Sequence, residues 1–235
     1  MLFRSFETVE TALTSGFNRI KLYLMIGLPT ETDEDILEIA RLINAIWQLA
    51  KRIRRGRAAV KVTISTFVPK PITPFQWEPL ADRETIQARQ NLLRENVHRT
   101  RNIQLSWSDW DATWLEAILS RGDRRLGPAI LRAWQLGARF DAWHEHYQPD
   151  IWRQAFAACS IDPSFYTVRR RPFDEVLPWA MIDAGVSPQF LQLEAERAYR
   201  GELSPDCRKN CHACGILRTH SLERSNIAPG TWGCP

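Results

Sequence analysis

The sequence predicts an α/β protein built on parallel strands, and three stretches carry that prediction. Residues 22–26 form an apolar run without alternation, ending at Gly27-Leu28-Pro29; this is the pattern of a strand covered on both faces. Residues 60–67, Val-Lys-Val-Thr-Ile-Ser-Thr-Phe, are rich in β-branched side chains, which suit a pleated strand. Between them lies a long segment of helical period. A strand–helix–strand order calls for a crossover that returns the second strand parallel to the first.

The elements follow in chain order. Residues 6–15 read as a short helix and 19–26 as a strand. Gly27 permits a sharp turn, or the close approach of a ligand to the backbone. Pro29 fixes its own φ and lacks a donor, so the strand cannot continue. Thr32 suits a helix N-cap with Asp35 as its capping-box partner, and Glu31, Asp33, Glu34 and Asp35 place negative charge at the positive end of the helix dipole. Ile36, Ile39, Ala40, Ile43, Ile46 and Trp47 recur at helical spacing. Lys51, Arg52, Arg54 and Arg55 followed by Gly56 close the helix over residues 33–55. The basic run 51–57 reads as a solvated helix end in preference to a nucleic-acid patch. Residues 82–101 form a polar helix with Ile86, Leu92, Leu93 and Val97 as its apolar line, and residues 103–106 a short strand.

Composition bounds the rest. The 235 residues can hold one large or two small domains with a buried core. A hydrophobic content of 44% and a charged content of 25% are ordinary for a globular protein. The net charge of +4 is too small to imply a polyanionic partner by itself. No run is long and apolar enough to span a membrane, and the N-terminus lacks a signal-peptide pattern, so the cytoplasm is the expected location.

Three regions emerge: 1–106, 107–202 and 203–235. The second is rich in tryptophan and reads as mostly helical. Trp107, Trp110 and Trp114 follow helical spacing, extended by Ala117 and Ile118, as a core stripe in preference to a base-stacking platform. Further helices are expected over 128–136, 150–158, 174–183 and 188–199. Arg121-Gly122-Asp123 reads as a helix end and turn. The third region, with Pro205, Gly215, Pro229, Gly230 and Gly233, has little to bury and needs a staple to be ordered.

That staple is expected at Cys207, Cys211 and Cys214, spaced C-x3-C-x2-C, which hold three of the five cysteines of the chain. Three thiolates so close in sequence can converge on one metal centre, Arg208 and Lys209 would lower their pKa values, and Gly215 allows the tight turn. An iron–sulfur cluster on three cysteines leaves one iron open to an exchangeable ligand. Zinc would take a fourth ligand from His212, His220 or Cys234. Spacing alone does not choose between them. Cys159, alone in a helical stretch, reads as a small core residue.

Gly27-Leu28-Pro29-Thr30-Glu31-Thr32 before an acidic helix start resembles the Gly-Phe-Pro-Gly-Glu-Thr type of turn of radical SAM enzymes. Phe67-Val68-Pro69-Lys70-Pro71-Ile72-Thr73-Pro74-Phe75-Gln76-Trp77 resembles their next barrel strand and its exit loop. Ser120 to Arg125, Leu177-Pro178-Trp179 and the Cys207 to Gly215 tail resemble the C-terminal region of a B12-binding-domain radical SAM family of unassigned function. One departure is Ala180, where that family pattern has an acidic residue after Pro-Trp. The resemblance implies a partial (βα) barrel, the C-terminal half of a radical SAM barrel, followed by a helical region and a Cys-rich tail. It also implies S-adenosylmethionine and a [4Fe-4S] cluster in the complete enzyme, with cobalamin held by a domain absent from this chain. The residues it nominates around the adenine are Ile26, Gly27 and Glu31 on the first turn, and Phe67, Val68 and Pro69 on the second.

In radical SAM enzymes the cluster motif follows the first barrel strand. Here no cysteine precedes Cys159, so the tail cysteines would form an auxiliary site. The expectation is the C-terminal part of a longer enzyme, whether a split gene product, a truncated frame or a fragment. It would be incapable of radical chemistry alone and completed by an N-terminal half or a neighbouring chain. The rival expectation is a non-catalytic, zinc-stabilised module that binds RNA or protein.

Overall fold

Strand β1, Arg19–Ile26, runs parallel to β2, Ala59–Thr66, which runs parallel to β3, Ile103–Trp107, in the sheet order β1-β2-β3. The computed structural model describes residues 2–226. Helix α1, Leu2–Thr14, precedes the sheet; α2, Asp33–Arg54, and α3, Arg83–Asn96, make the two crossovers. The α/β class with a small parallel sheet is therefore what the sequence predicts.

The start of α2 follows from local chemistry. Thr32 caps it through its side chain on Asp35 N, while Asp35 Oδ2 accepts the Thr32 N–H at 2.8 Å, which completes a capping box. Arg55 closes the helix in the left-handed region with φ 49°, and Gly56 follows at φ 78°. Asp82 caps α3 by accepting Thr85 N at 2.7 Å. The helix expected to run to residue 101 ends at Asn96. There the chain leaves the helix with Val97 extended and His98 N donating to Asn44 Oδ1 at 2.8 Å, so a bond to α2 replaces the next helical one.

The two halves of the chain separate into compact units: residues up to Phe67 with Ala81–Thr113, and Val68–Leu80 with the chain from Trp114 onward. The segment 68–80, read from the sequence as part of the first region, thus groups with the helical one. In the first unit, Leu13, Ile36, Ile43, Val60, Val62, Ile64 and Leu93 are fully buried in one core. Full burial of such a side chain contributes about 1.5–3 kcal/mol.

The sheet departs from expectation in one respect. A strand covered on both faces was predicted at 22–26, yet only one face is covered. Ile20 and Ile26 are buried with Leu22 and Leu24 beside them, whereas Lys21, Tyr23 and Met25, alternating with them, are exposed, Tyr23 by 70%. The same alternation runs through β2, where Val60, Val62, Ile64 and Thr66 are buried and Lys61 is exposed. In β3, Gln104 and Ser106 are exposed. Register aligns Tyr23 with Thr63 and Thr63 with Ser106, so these residues share one face, exposed at Tyr23 and Ser106 and half-buried at Thr63. The apolar run conceals the alternation because Tyr23 and Met25 count as apolar.

The second unit is helical: the end of α4, Trp110–Arg121; a 3-10 turn at Arg124–Leu126; α5, Gly127–Gln135; α6, Pro149–Ala158; α7, Ser164–Thr167; α8, Pro188–Tyr199; α9, Ile216–Thr219; and α10, Ser221–Ser225. Trp107, read as the first residue of a helical stripe, is instead the last residue of β3. The helix expected over 174–183 is a series of turns. Pro178 has no N–H to give a helix, and Trp179 is pinned by its Nε1–H to Gln76 Oε1 at 2.6 Å.

Arg121 is the unforeseen core residue. It is wholly buried and donates through Nη1 to the carbonyls of Tyr166 and Thr167, at 2.5 and 2.8 Å, and through Nη2 to that of Arg169 at 2.8 Å. Arg171 Nη2 donates in turn to the Arg121 carbonyl at 2.5 Å. Burial, with Arg171 and Arg169 close by, pulls the Arg121 guanidinium down to about 10. Among the described residues no helix is long and apolar enough to cross a membrane.

Candidate functional site

The carboxyl ends of the strands in the first unit carry the turn singled out in the sequence, and ligands of α/β sheets gather at such ends. Ile26 ends β1 and is buried. Its carbonyl accepts Phe67 N at 2.8 Å, which extends the ladder one step past β2. Gly27 follows at φ 86°, a conformation that L side chains rarely adopt. A Cβ there would meet Ile86 Cδ1 at 2.7 Å, with Ala81 and Thr66 within 3.7 Å. The dihedral thus favours glycine, and a side chain there would also have to displace the tip of Ile86 in α3.

Glu31 turns back over this glycine. Its Oε2 accepts Gly27 N at 2.7 Å and pairs with Arg89 Nη1 at 2.8 Å. Arg89 Nη2 also donates to the Glu31 carbonyl at 2.7 Å, so one guanidinium holds both the side chain and the backbone of the turn. Burial pushes the Glu31 carboxyl above its ordinary range, against the opposing pull of the Gly27 N–H and the Arg89 guanidinium.

The nominated adenine contacts are therefore placed but engaged. Ile26, Gly27, Val68 and Pro69 are buried, Glu31 and Phe67 half-buried. Ile26 and Phe67 bond each other, and Glu31 is consumed by Gly27 and Arg89. Val68 and Pro69 follow directly in the chain but group with the second unit. Arg89 is the residue that sequence reasoning missed. Its signal is position: it lies three residues after Ile86 and four before Leu93, so a charge sits on the buried stripe of α3 and calls for a buried partner.

Cys207 and Cys211 are exposed, Cys214 is half-buried, and all three are unbridged. Among the described residues no group of three His, Cys, Asp or Glu side chains could share a metal ion. The three thiols are therefore not gathered, and this placement does not fit a cluster or a zinc site. What the tail does fix is its backbone. Ser187 N donates to the Cys214 carbonyl at 2.7 Å. Gly215 follows at φ 110°, where a Cβ would meet the Gly185 carbonyl oxygen at 2.7 Å. Cys211 Sγ accepts Ala213 N at 3.4 Å, His212 Nε2 lies 3.0 Å from the Pro205 carbonyl, and His220 Nδ1 lies 3.9 Å from Glu223 Oε2. Cys234 lies outside the described residues. Cys159 is half-buried against the core of the helical unit.

No family model and no solved structure matches the chain. An uncharacterized protein of Methanocaldococcus jannaschii is 32% identical over 122 residues, which cover 51% of this chain and 25% of that protein. The matched part thus spans about a quarter of that relative's length.

Proposed function

We propose that this chain is the C-terminal portion of a radical SAM protein, whose last barrel strands are β1, β2 and β3. The observation that carries the reading is the bare sheet face. Parallel sheets are ordinarily covered on both faces; in a barrel helices cover the outside, and the inner face is covered by side chains from the other strands. Here α2 and α3 pack on one face while Tyr23, Met25, Thr63 and Ser106 line the other. On this reading the bare face is the barrel's inner face, left open where further strands would cover it, and β1 is the edge at which earlier strands join. The match to a longer archaeal protein is in keeping with strands supplied by further polypeptide.

Binding of S-adenosylmethionine then belongs to the completed barrel, because in this chain the turn residues are engaged with one another. The test is co-expression with a polypeptide carrying the upstream strands and a C-x3-C-x2-C motif, under anaerobic conditions. The two should co-purify with iron and sulfide and bind S-adenosylmethionine in equilibrium dialysis. Hydrogen exchange at Tyr23 and Met25 should slow in the pair. Failure to associate, or association that leaves exchange in β1 unchanged, would sink the reading.

One observation favours a second reading, a module that binds single-stranded RNA. Trp134, Phe140 and Trp143 are exposed by 54%, 72% and 61%, and the Arg139 guanidinium lies 4.6 Å from the Trp134 ring centroid. Exposed rings beside arginine are what base stacking uses. Affinity for a single-stranded oligonucleotide that falls steeply with salt and is lost in Trp143→Ala would support it.

A further inference from the structure

The helical unit contains a cleft of about 430 Å³, a volume in the range of small-molecule sites. Trp77, Phe173, Leu177, Trp179 and Leu191 form its apolar wall, with Trp77 and Phe173 edge to face at 4.9 Å between centroids. At the lip, Val176, Met181 and Ile182 are exposed, an apolar rim to the opening.

The two indoles of this wall differ in one respect. Trp179 Nε1–H donates to Gln76 Oε1 at 2.6 Å. The same oxygen accepts the Ile72 N–H at 3.0 Å, so both of its lone pairs are used. Trp77 is 3% exposed, and its Nε1–H has no acceptor among the described residues. Of the buried side-chain polar atoms left unmatched among those residues, it is the one that belongs to the lining of the cleft. A buried indole N–H ordinarily has a partner. The remaining side-chain acceptors of the wall are committed or stand at the rim. Glu175 is bonded by both Nη atoms of Arg169 at 2.5 and 2.8 Å. Asp183 Oδ1 accepts Gly185 N at 2.8 Å, and both Asp183 and Asp174 are exposed.

Charge narrows what could supply the missing acceptor. Asp174, Glu175 and Asp183 line the cleft, and among the described residues no lysine, arginine or histidine does. A lining of that sign disfavours an anion. Arg171, 5.3 Å from the Trp179 ring centroid, lies outside the lining. An ammonium ion would bring donors and no acceptor for Trp77. The chemistry left is an uncharged molecule with an apolar body and an oxygen acceptor.

We propose that this cleft binds a neutral, apolar carbonyl compound, its oxygen accepting the Trp77 Nε1–H and its body against Leu177, Trp179 and Leu191. Away from water, that hydrogen bond meets little competition from solvent, and the apolar walls take the body. A molecule of the same shape without the oxygen leaves the buried donor unmatched, which is the basis of discrimination. The site lies within the helical unit and stands whether or not the barrel reading does.

The test compares acetophenone with α-methylstyrene, in which a methylene group replaces the carbonyl oxygen, and with benzoate, of similar shape and negative charge. Binding to the full chain is read by calorimetry and by nitrogen–proton correlation NMR of the indole groups. The chain has ten tryptophans, and the signal absent from Trp77→Phe identifies that of Trp77. Acetophenone should bind about threefold to tenfold more tightly than α-methylstyrene, the worth of one hydrogen bond, should bind more tightly than benzoate, and should move the Trp77 indole proton downfield. In Trp77→Phe, which keeps an aromatic ring, the preference for acetophenone over α-methylstyrene should vanish. Both preferences are read on the parent chain and do not depend on the folding of the variant, which circular dichroism verifies. Absence of acetophenone binding, equal binding of α-methylstyrene, equal or tighter binding of benzoate, an unmoved Trp77 signal, or a preference that persists in folded Trp77→Phe would overturn the assignment.

Discussion

Arg89 Nη1 lies 2.8 Å from Oε2 of Glu31, and the two side chains are only 14% and 5% exposed. An arginine on the buried stripe of α3 thus holds the turn that leaves β1. Removing one member of a buried pair strands the other's charge. Arg89→Met should therefore cost about 3 kcal/mol at neutral pH, read by urea unfolding. The pH dependence fixes the cause. The folded state holds the Glu31 proton more tightly than the unfolded chain, so this group's contribution falls as pH rises from 4.5 through its raised folded value. Loss of Arg89 removes an opposing pull, so the fall should steepen in Arg89→Met and vanish in Glu31→Gln. Equal slopes in all three proteins would contradict the pairing.

Gly27→Ala tests the packing of the same turn. The added Cβ meets Ile86 Cδ1 at 2.7 Å and the backbone stays at φ 86°, so a loss of about 2–3 kcal/mol is expected. Ile86→Val in the same chain removes Cδ1 and should recover part of the loss but not the dihedral strain. Full recovery would mean that φ carries no cost here.

The two helix caps predict an acid limb. The Thr32 backbone and hydroxyl hold the Asp35 carboxyl below its usual range, and Thr85 does the same for Asp82. Depressed carboxyls stabilise the fold above pH 3.8, their ordinary value, and that stabilisation is lost as pH falls through their lower folded values. Helical circular dichroism followed from neutral to strongly acid pH should show this loss, and Asp82→Ala should blunt it. Thr32→Ala should cost about 1 kcal/mol at neutral pH.

The two faces of the sheet predict opposite sensitivities. Ile64 is 1% exposed and Tyr23 is 70% exposed. Ile64→Ala should cost about 2–5 kcal/mol, while Tyr23→Ser should stay within about 0.5 kcal/mol in this chain alone. A large loss from Tyr23→Ser would show that the bare face is covered in solution.

Thiol reactivity reports on the tail. Cys207 and Cys211 are exposed, and Cys159 is half-buried in the helical core. In metal-free protein the first two should react with a disulfide reagent at the rate of a free thiol, and Cys159 more slowly until urea is added. With the three thiols apart, zinc or iron with sulfide should leave these rates unchanged, and joint protection of Cys207, Cys211 and Cys214 would show the tail closing on a metal.

Much of the first unit could be read from local rules. The cap at Thr32, the strand from Arg19 and the helix end at Arg55 each depend on chemistry within a few residues, so sequence reveals them. What could not be read was set by distant partners. Asn44 ends α3 early through His98, Gln76 pins Trp179 in a turn in place of a helix, and Arg121 is buried because carbonyls from Tyr166 to Arg169 surround it. None of these partners is near in sequence. The one-sided burial of β1 was hidden for another reason: Tyr23 and Met25 satisfy an apolar pattern whether they face a core, a lumen or water.

The register of the sheet sets Lys21 directly beside Lys61. On the uncovered side these like charges cannot be brought against a second copy of themselves without repulsion, so two sheets will not stack face to face. The unpaired flank of β1 carries no such guard across Tyr23 and Met25. Self-association of this chain should therefore grow sideways, strand added to strand, and a short peptide that pairs with β1 should cap that growth.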